Sequence, residues 1–326
     1  MRAIALVAAL AFGLAACGGS ASPARKLAPG PFVLGGVVAS ARDRLIENGA
    51  RIDAAEVNDA GGILGQVRLR VLAGPGAGSL VRRGARALLL PCAAADQARA
   101  ETAVRHSPVV LLSTCGNRPS GRAWGVGANL ADRAAMLAGW LHDHGVKQVT
   151  VLPGGAAAAL RRAVGAWGIR VRNGARTVLA DRDWAQVKTL GRPVDGLDRL
   201  DTAAGRRTVG PAADGTVYAT FGFPVPGSKL DEVYERYRLA FGRRPDGSAV
   251  QLGYDGVRVL TDAVEAARAT GVQAITAALP GLQVGGAGGV LNYERTGTRQ
   301  PRADAAVVEV QDGRLNLLDK GRPERP

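Results

Sequence analysis

Few side chains in this sequence are placed for covalent chemistry. It holds three histidines and three cysteines in 326 residues. The one close group, His142-Asp143-His144, offers two imidazoles at a helix end with no third donor nearby. A zinc site needs three or four ligands around one point, so solvated polar residues are the better reading. No Ser-His-Asp or Cys-His pattern and no carboxylate pair stands out, so the chain reads as no enzyme, without cofactor or metal. Gly74-Pro75-Gly76-Ala77-Gly78-Ser79 has the glycines of a phosphate cradle. It lacks the G-x-G-x-x-G spacing and a Walker lysine, and reads as a turn. Ala94 follows an apolar run ending in Pro91-Cys92, and Asn117 follows one ending in Ser113-Thr114-Cys115. Helix starts at such points present unpaired backbone N–H groups and the positive end of a dipole, which suits an anion.

Those loops need strands and helices to hold them. Residues 32–38, 85–90 and 109–112 are apolar runs of the kind buried on both faces of a parallel sheet. Ile46, Ala50, Ala54 and Val57 recur at helical spacing, and Gly61-Gly62 then stops the helix. Val67, Leu69 and Val71 alternate with Arg68 and Arg70, as a half-buried strand does. Helix, glycine turn and strand make half of a βαβ unit. Strands are expected again over 148–152, 216–223 and 305–310. Asn129 and Asp132 open a long helix in the manner of a capping box. Tyr234, Tyr237 and Phe241 form a core stripe on a later helix.

Composition allows two packed domains: 47% of the residues are hydrophobic and 21% charged. The net charge of +14 raises nucleic acid or anionic lipid as partners. The arginines are scattered, with no basic run and no aromatic-basic interleaving, so no nucleic acid is expected. Residues 1–16 carry Arg2, then a short apolar run, and Leu14-Ala15-Ala16-Cys17 closes it like a bacterial lipobox. Cys17 is thus the expected lipidation site, anchoring the chain to a membrane on its extracytoplasmic, periplasmic or cell-surface side. Residues 17–31, rich in Gly, Ser, Ala and Pro, are a flexible tether.

Asn58-Asp59-Ala60-Gly61-Gly62-Ile63-Leu64-Gly65-Gln66 resembles the E-I-N-A-A-G-G-I-x-G segment of type I periplasmic binding proteins, the Leu/Ile/Val-binding receptors of ABC transporters. Gly253-Tyr254-Asp255-Gly256 resembles that family's Y-D-A crossover, and residues 284–293 its glycine-marked closing segment. The resemblance covers most of residues 32–315 and implies an α/β fold. Two lobes, each with a mainly parallel doubly wound sheet, are joined by a three-strand hinge. Lobe one takes 32–127 plus 253–291 and lobe two 128–252 plus 292–326. The second lobe is shortened near 173–192, where one βα unit is absent or collapsed onto 183–190.

The resemblance also implies a ligand site. Arg42 stands where relatives often carry an aromatic, either facing an anionic group or as a solvated loop arginine. The loops holding Ala94 and Cys115 match those that grip a ligand carboxylate, and Asn117 replaces a threonine there, as a contact or as a turn residue. Asp198 falls where an acid holds the ligand ammonium, or else caps a turn. Tyr254 lies near the hinge, and Asp255 reads as an N-cap. Cys92 and Cys115, at the ends of strands expected to be neighbours in an oxidising compartment, form a disulfide or stay as two buried thiols. The expected protein is a monomeric lipoprotein that passes a small anionic or zwitterionic solute to an ABC permease. The alternative is a degenerate binding fold serving as a protein-interaction module.

Overall fold

The computed structural model describes residues 27, 30–115, 121–181, 183–190, 194–294 and 298–322. Cys17, most of the tether, Asn117 and the side chain of Asp198 lie outside the described residues. The chain begins β1 (Phe32–Val37), α1 (Ala41–Asp59), β2 (Leu69–Gly74), α2 (Ala77–Arg82), β3 (Ala87–Leu90), α3 (Ala94–Ala103), β4 (Val110–Ser113) and β5 (Trp124–Gly125). These strands pair in parallel in the order β2-β1-β3-β4-β5. β1, β3 and β4 are buried throughout, because helices cover both faces. Strand alternation divides their side chains. Leu34, Leu89 and Leu112 pack with Ile46 and Val257, whereas Val33, Leu88 and Leu111 pack with Leu80 and Ala100.

The second lobe repeats the plan. It runs α4 (Leu130–Asp143), β6 (Gln148–Val151), α5 (Ala157–Ala166), β7 (Arg170–Val171), β8 (Thr177–Ala180), α6 (Trp184–Leu190), β9 (Asp195–Leu197), α7 (Ala203–Val209) and β10 (Val217–Thr220). Then come α8 (Lys229–Phe241), α9 (Ala249–Ala267), α10 (Val272–Ala278), the β11–β12 hairpin (Gln283–Gly285 and Val290–Asn292), β13 (Ala305–Gln311) and β14 (Arg314–Gly321). The second sheet reads β14-β13-β10-β9-β8-β6-β7, parallel from β7 to β10, with β13 and β14 added antiparallel. The shortened stretch holds α6, a two-turn helix whose Trp184 and Val187 enter the core. The capping box at Asn129 and Asp132 forms in full.

Three connections join the lobes, and they bond to one another. Gly125 N–H donates to the Arg299 carbonyl (2.8 Å), and Gln300 Nε2 donates to the Gly127 carbonyl (2.9 Å). Tyr293 O–H reaches the Gly125 carbonyl (2.6 Å), and Gln251 Nε2 the Phe221 carbonyl (3.0 Å). Arg133, fully buried, lays its guanidinium 4.1 Å from the Phe221 ring centre. The ring's electron-rich face and the Ala128 carbonyl, which accepts from Arg133 Nη1, together partner that cation.

Two placements differ from the sequence reading. Asp255 is no N-cap, because α9 starts six residues earlier, after Ser248. Its buried carboxylate instead accepts the Ala287 N–H (2.5 Å) in the turn of the β11–β12 hairpin. Helix α8 falls in the stretch assigned to lobe two, yet it lies on α1. Asn48 Nδ2 donates to the Tyr237 hydroxyl (3.1 Å), and Lys229 and Arg236 pair with Glu56. Tyr234 and Tyr237 enter that seam, while Phe241 stays over a third exposed.

Candidate ligand-binding site

The order β2-β1-β3-β4-β5 has its switch point between β1 and β3, where successive connections leave in opposite directions. The parallel part of the second sheet repeats it, with the switch between β6 and β8. Loops diverge at such a point and leave a crevice at the carboxyl ends of the strands. Here both crevices open onto one cleft of about 650 Å³. Lobe one lines it with Ser40 and Arg42 after β1 and with residues 92–95 after β3. Lobe two lines it with Gly155 and Ala156 after β6, Asp181 after β8, Arg199 after β9, and Leu130 at the start of α4.

Helix starts therefore converge on the cleft. Ser40 caps α1 by accepting the Asp43 N–H (3.2 Å). Buried Asp43 returns the contact: its carboxylate accepts from Ala39 N–H (3.1 Å), the Ser40 hydroxyl (2.8 Å) and Cys92 N–H (2.9 Å). One side chain thus fixes the β1 loop against the β3 loop. Cys92 and Cys115 form a disulfide with Cα atoms 5.0 Å apart, which ties the β3 loop to the β4 loop. Thr114 adds a hydroxyl bond to the Leu90 carbonyl (2.9 Å). Helix α3 opens at Ala93, which has no side chain able to cap it, so its first N–H groups remain available to an anion. At α5 the Ala156 N–H donates to Asp181 Oδ2 (3.2 Å), so that helix start already holds a carboxylate.

Of the residues picked out by sequence, Arg42 and Ala94 line the cleft. Cys115 does not. Its side chain is buried and its sulfur is joined to Cys92, which lines the wall in its place. Tyr254 does not either, for it is 1% exposed between α1, α8 and α9. Its hydroxyl donates to Glu56 (2.9 Å) and accepts from Arg258 (2.9 Å). Burial, with the charge of Asp53, pushes its ionisation far above the usual phenol range. Asp198 lies in the helical turn directly after β9, next to Arg199 on the cleft wall. Sequence reasoning missed Ser40, Asp43, Asp181 and Arg199. The S-x-x-D spacing at Ser40 was a readable capping signal. Asp181 carried only its place directly after a strand.

His142 and His144 hold no metal arrangement. Each bonds a helix-end carbonyl, of Trp167 (3.1 Å) and Trp140 (2.7 Å), and His144 stacks on the Trp140 ring. Among the described residues no cluster of three metal-donor side chains occurs, and no helix is long and apolar enough to cross a membrane.

Comparison with known structures decides the architecture. A leucine-binding protein from Thermotoga maritima aligns over 89% of this chain and 98% of its own, at 19% identity and a TM-score of 0.72. The fold is that of the type I periplasmic binding proteins. A branched-chain amino-acid transporter's substrate-binding protein from Streptococcus pneumoniae, in complex with isoleucine, aligns over 90% of this chain and 100% of its own (14% identity, TM-score 0.75). A solute-binding protein of an ABC transporter from Rhodopseudomonas palustris, in complex with 3,4-dihydroxybenzoic acid, aligns over 91% and 99% (17% identity, TM-score 0.72). Residues 184–314 match a family model described as periplasmic binding protein. No curated protein matches the sequence. In this type I fold the switch-point loops of both lobes face each other, so the cleft follows from the topology itself.

Proposed function

We propose that the chain is the extracytoplasmic solute-binding component of an ABC transporter, anchored through a lipid on Cys17. Its solute is a small carboxylate, anionic or zwitterionic. The observation that carries this reading is the single cleft formed where the switch points of two doubly wound sheets meet. The uncapped start of α3 and the Arg42 guanidinium supply donors for a carboxylate on the lobe-one side. Asp181 on the lobe-two side, with Asp198 beside Arg199, offers a place for an ammonium. Solved structures of this fold are described with isoleucine and with a dihydroxybenzoate, which sets the chemical range to search. Hinge closure around the solute would then present a distinct shape to the permease, since a ligand that touches both lobes stabilises the closed form.

The test is a thermal-shift screen of amino acids, amides and aromatic acids, followed by calorimetry. A solute at a hundred times its Kd should stabilise the fold by about 2.7 kcal/mol. If no compound of these classes shifts the melting temperature at millimolar concentration, the solute-binding reading fails and an interaction module takes its place. The anchor has its own check: export of a Cys17→Ser variant should release the protein from the membrane fraction.

A further inference from the structure

We infer that lobe two carries a second ligand site on its outer face, built for a small organic cation of the quaternary ammonium kind. A pocket of about 360 Å³ opens there between the C-terminal half of α4, the residue that ends α5 and the end of β14. Among the described residues it shares no lining residue with the interlobe cleft, so it stands apart from the solute-binding role proposed above. Two of the chain's four tryptophans line it, Trp140 and Trp167. Trp124 and Trp184 are buried in the core, whereas these two are half-buried and keep ring surface at the pocket. Its other walls include Ala135 and Gly139 of α4, and a Cβ on Gly139 would press on the Trp167 ring at 3.1 Å.

The group His142-Asp143-His144 has its place here. His144 stacks on Trp140 with ring centres 4.0 Å apart, and His142 lies against Trp167 at 5.3 Å. The imidazoles brace the two indoles, and Asp143 between them lines the pocket. The sign of the ligand follows from the acidic and basic residues described on the walls, Asp143, Asp319, Lys320 and Arg322. Arg322 is paired with Asp304 at 3.2 Å. On the β13–β14 ladder Asp319 lies opposite Val307, which packs with Leu137 and Leu141 of α4. Lys320 lies opposite Ala306, which packs with Trp184 of α6 on the other face. Strand alternation thus turns the Asp319 carboxylate toward α4 and the Lys320 side chain away from it. Two carboxylates are left beside two indoles. An indole face attracts a cation through its quadrupole, and quaternary ammonium groups are recognised in this way.

The experiment is calorimetry on the full chain at pH 8 with three probes of similar shape and different charge: choline, 3,3-dimethylbutan-1-ol and 3,3-dimethylbutyrate. Choline should bind about tenfold tighter than the neutral alcohol, and the carboxylate should bind more weakly still. Asp319→Asn and Trp140→Leu should each remove that preference, the first with no change in melting temperature, since Asp319 is exposed. Asp181→Asn, at the interlobe cleft, should leave choline binding as it is. Choline binding no tighter than the alcohol, or than the carboxylate, would overturn the inference, as would silence from choline at millimolar concentration. A choline preference that survives both pocket substitutions would overturn it as well. Loss of choline binding in Asp181→Asn but not in Asp319→Asn would move the cation to the cleft, and so would overturn it too.

Discussion

At the seam of α1, α8 and α9, Asp53, Glu56, Tyr254 and Arg258 meet in a closed network, with Arg258 2.5 Å from Asp53 and 3.1 Å from Glu56. At the cleft, Arg42, Asp181 and Arg199 stand on the walls of an open space. The residue types are alike and the roles are opposite. At the seam the charges sit on helices whose backbones touch, and they tie those helices to one another. At the cleft the charges sit on loops at strand ends, where a solute can reach them. Burial therefore separates holding from binding, and residue type alone does not. Tyr254 shows this directly: it lies one turn before Arg258 on α9, so helical geometry sends both to the seam.

The largest effect should come from breaking the seam's geometry. Gly49 and Gly253 face each other where α1 crosses α9, and a Cβ on either would overlap a backbone carbonyl, of Val250 or Ile46. Backbone cannot rotate aside as a side chain can, so Gly253→Ala should cost about 3 kcal/mol, read from chemical denaturation. Gly155→Ala at the cleft meets only the flexible Asp181 carboxylate at 3.2 Å. It should stay within about 0.5 kcal/mol of wild type. Equal costs for the two would erase the distinction drawn here.

Next in size is the Cys92–Cys115 bond, which closes a loop of sequence separation 23. Replacing both cysteines with alanine should remove about 3 kcal/mol by the chain-entropy account. Because the bond ties two cleft loops, solute affinity should fall with it. Unchanged affinity would mean that Asp43 alone holds those loops.

A smaller effect sharpens the seam as a dry place. Burial pushes the Asp53 carboxyl up to about 7 despite the pull of Arg258. A group whose folded pKa lies above its unfolded value stabilises the fold at low pH, and that contribution is lost as the pH rises through the folded pKa. Asp53→Asn should thus gain on wild type, on the order of 2 kcal/mol, as the pH is raised from 4 to 8. A pH-independent difference between the two proteins would show Asp53 to be ionised throughout. The smallest stability effect belongs to Arg199→Gln, within about 0.5 kcal/mol in a melt, since exposed charges contribute little.

Much of this protein was legible locally. A period of two against a period of 3.6 separates strands from helices within one short window, and the capping box and Gly61-Gly62 mark helix ends by backbone conformations that few residues adopt. The wording around Asn58 to Gln66 carried the fold, and the positions directly after strands carried Arg42 and Ala94 to the cleft. The sequence did not reveal which loop meets which. Asp181 faces the lobe-one loops only because the β6/β8 switch point is carried against the β1/β3 one by three hinge connections far apart in the chain. Asp255 serves a hairpin thirty-two residues on, and Asn48 meets Tyr237 across 189 residues. Such contacts are settled by packing two helical faces at a fixed distance, and no local pattern encodes that distance. Local chemistry chose the elements, and close packing between distant ones chose which charges are shut into the helix seam and which stand on the cleft walls.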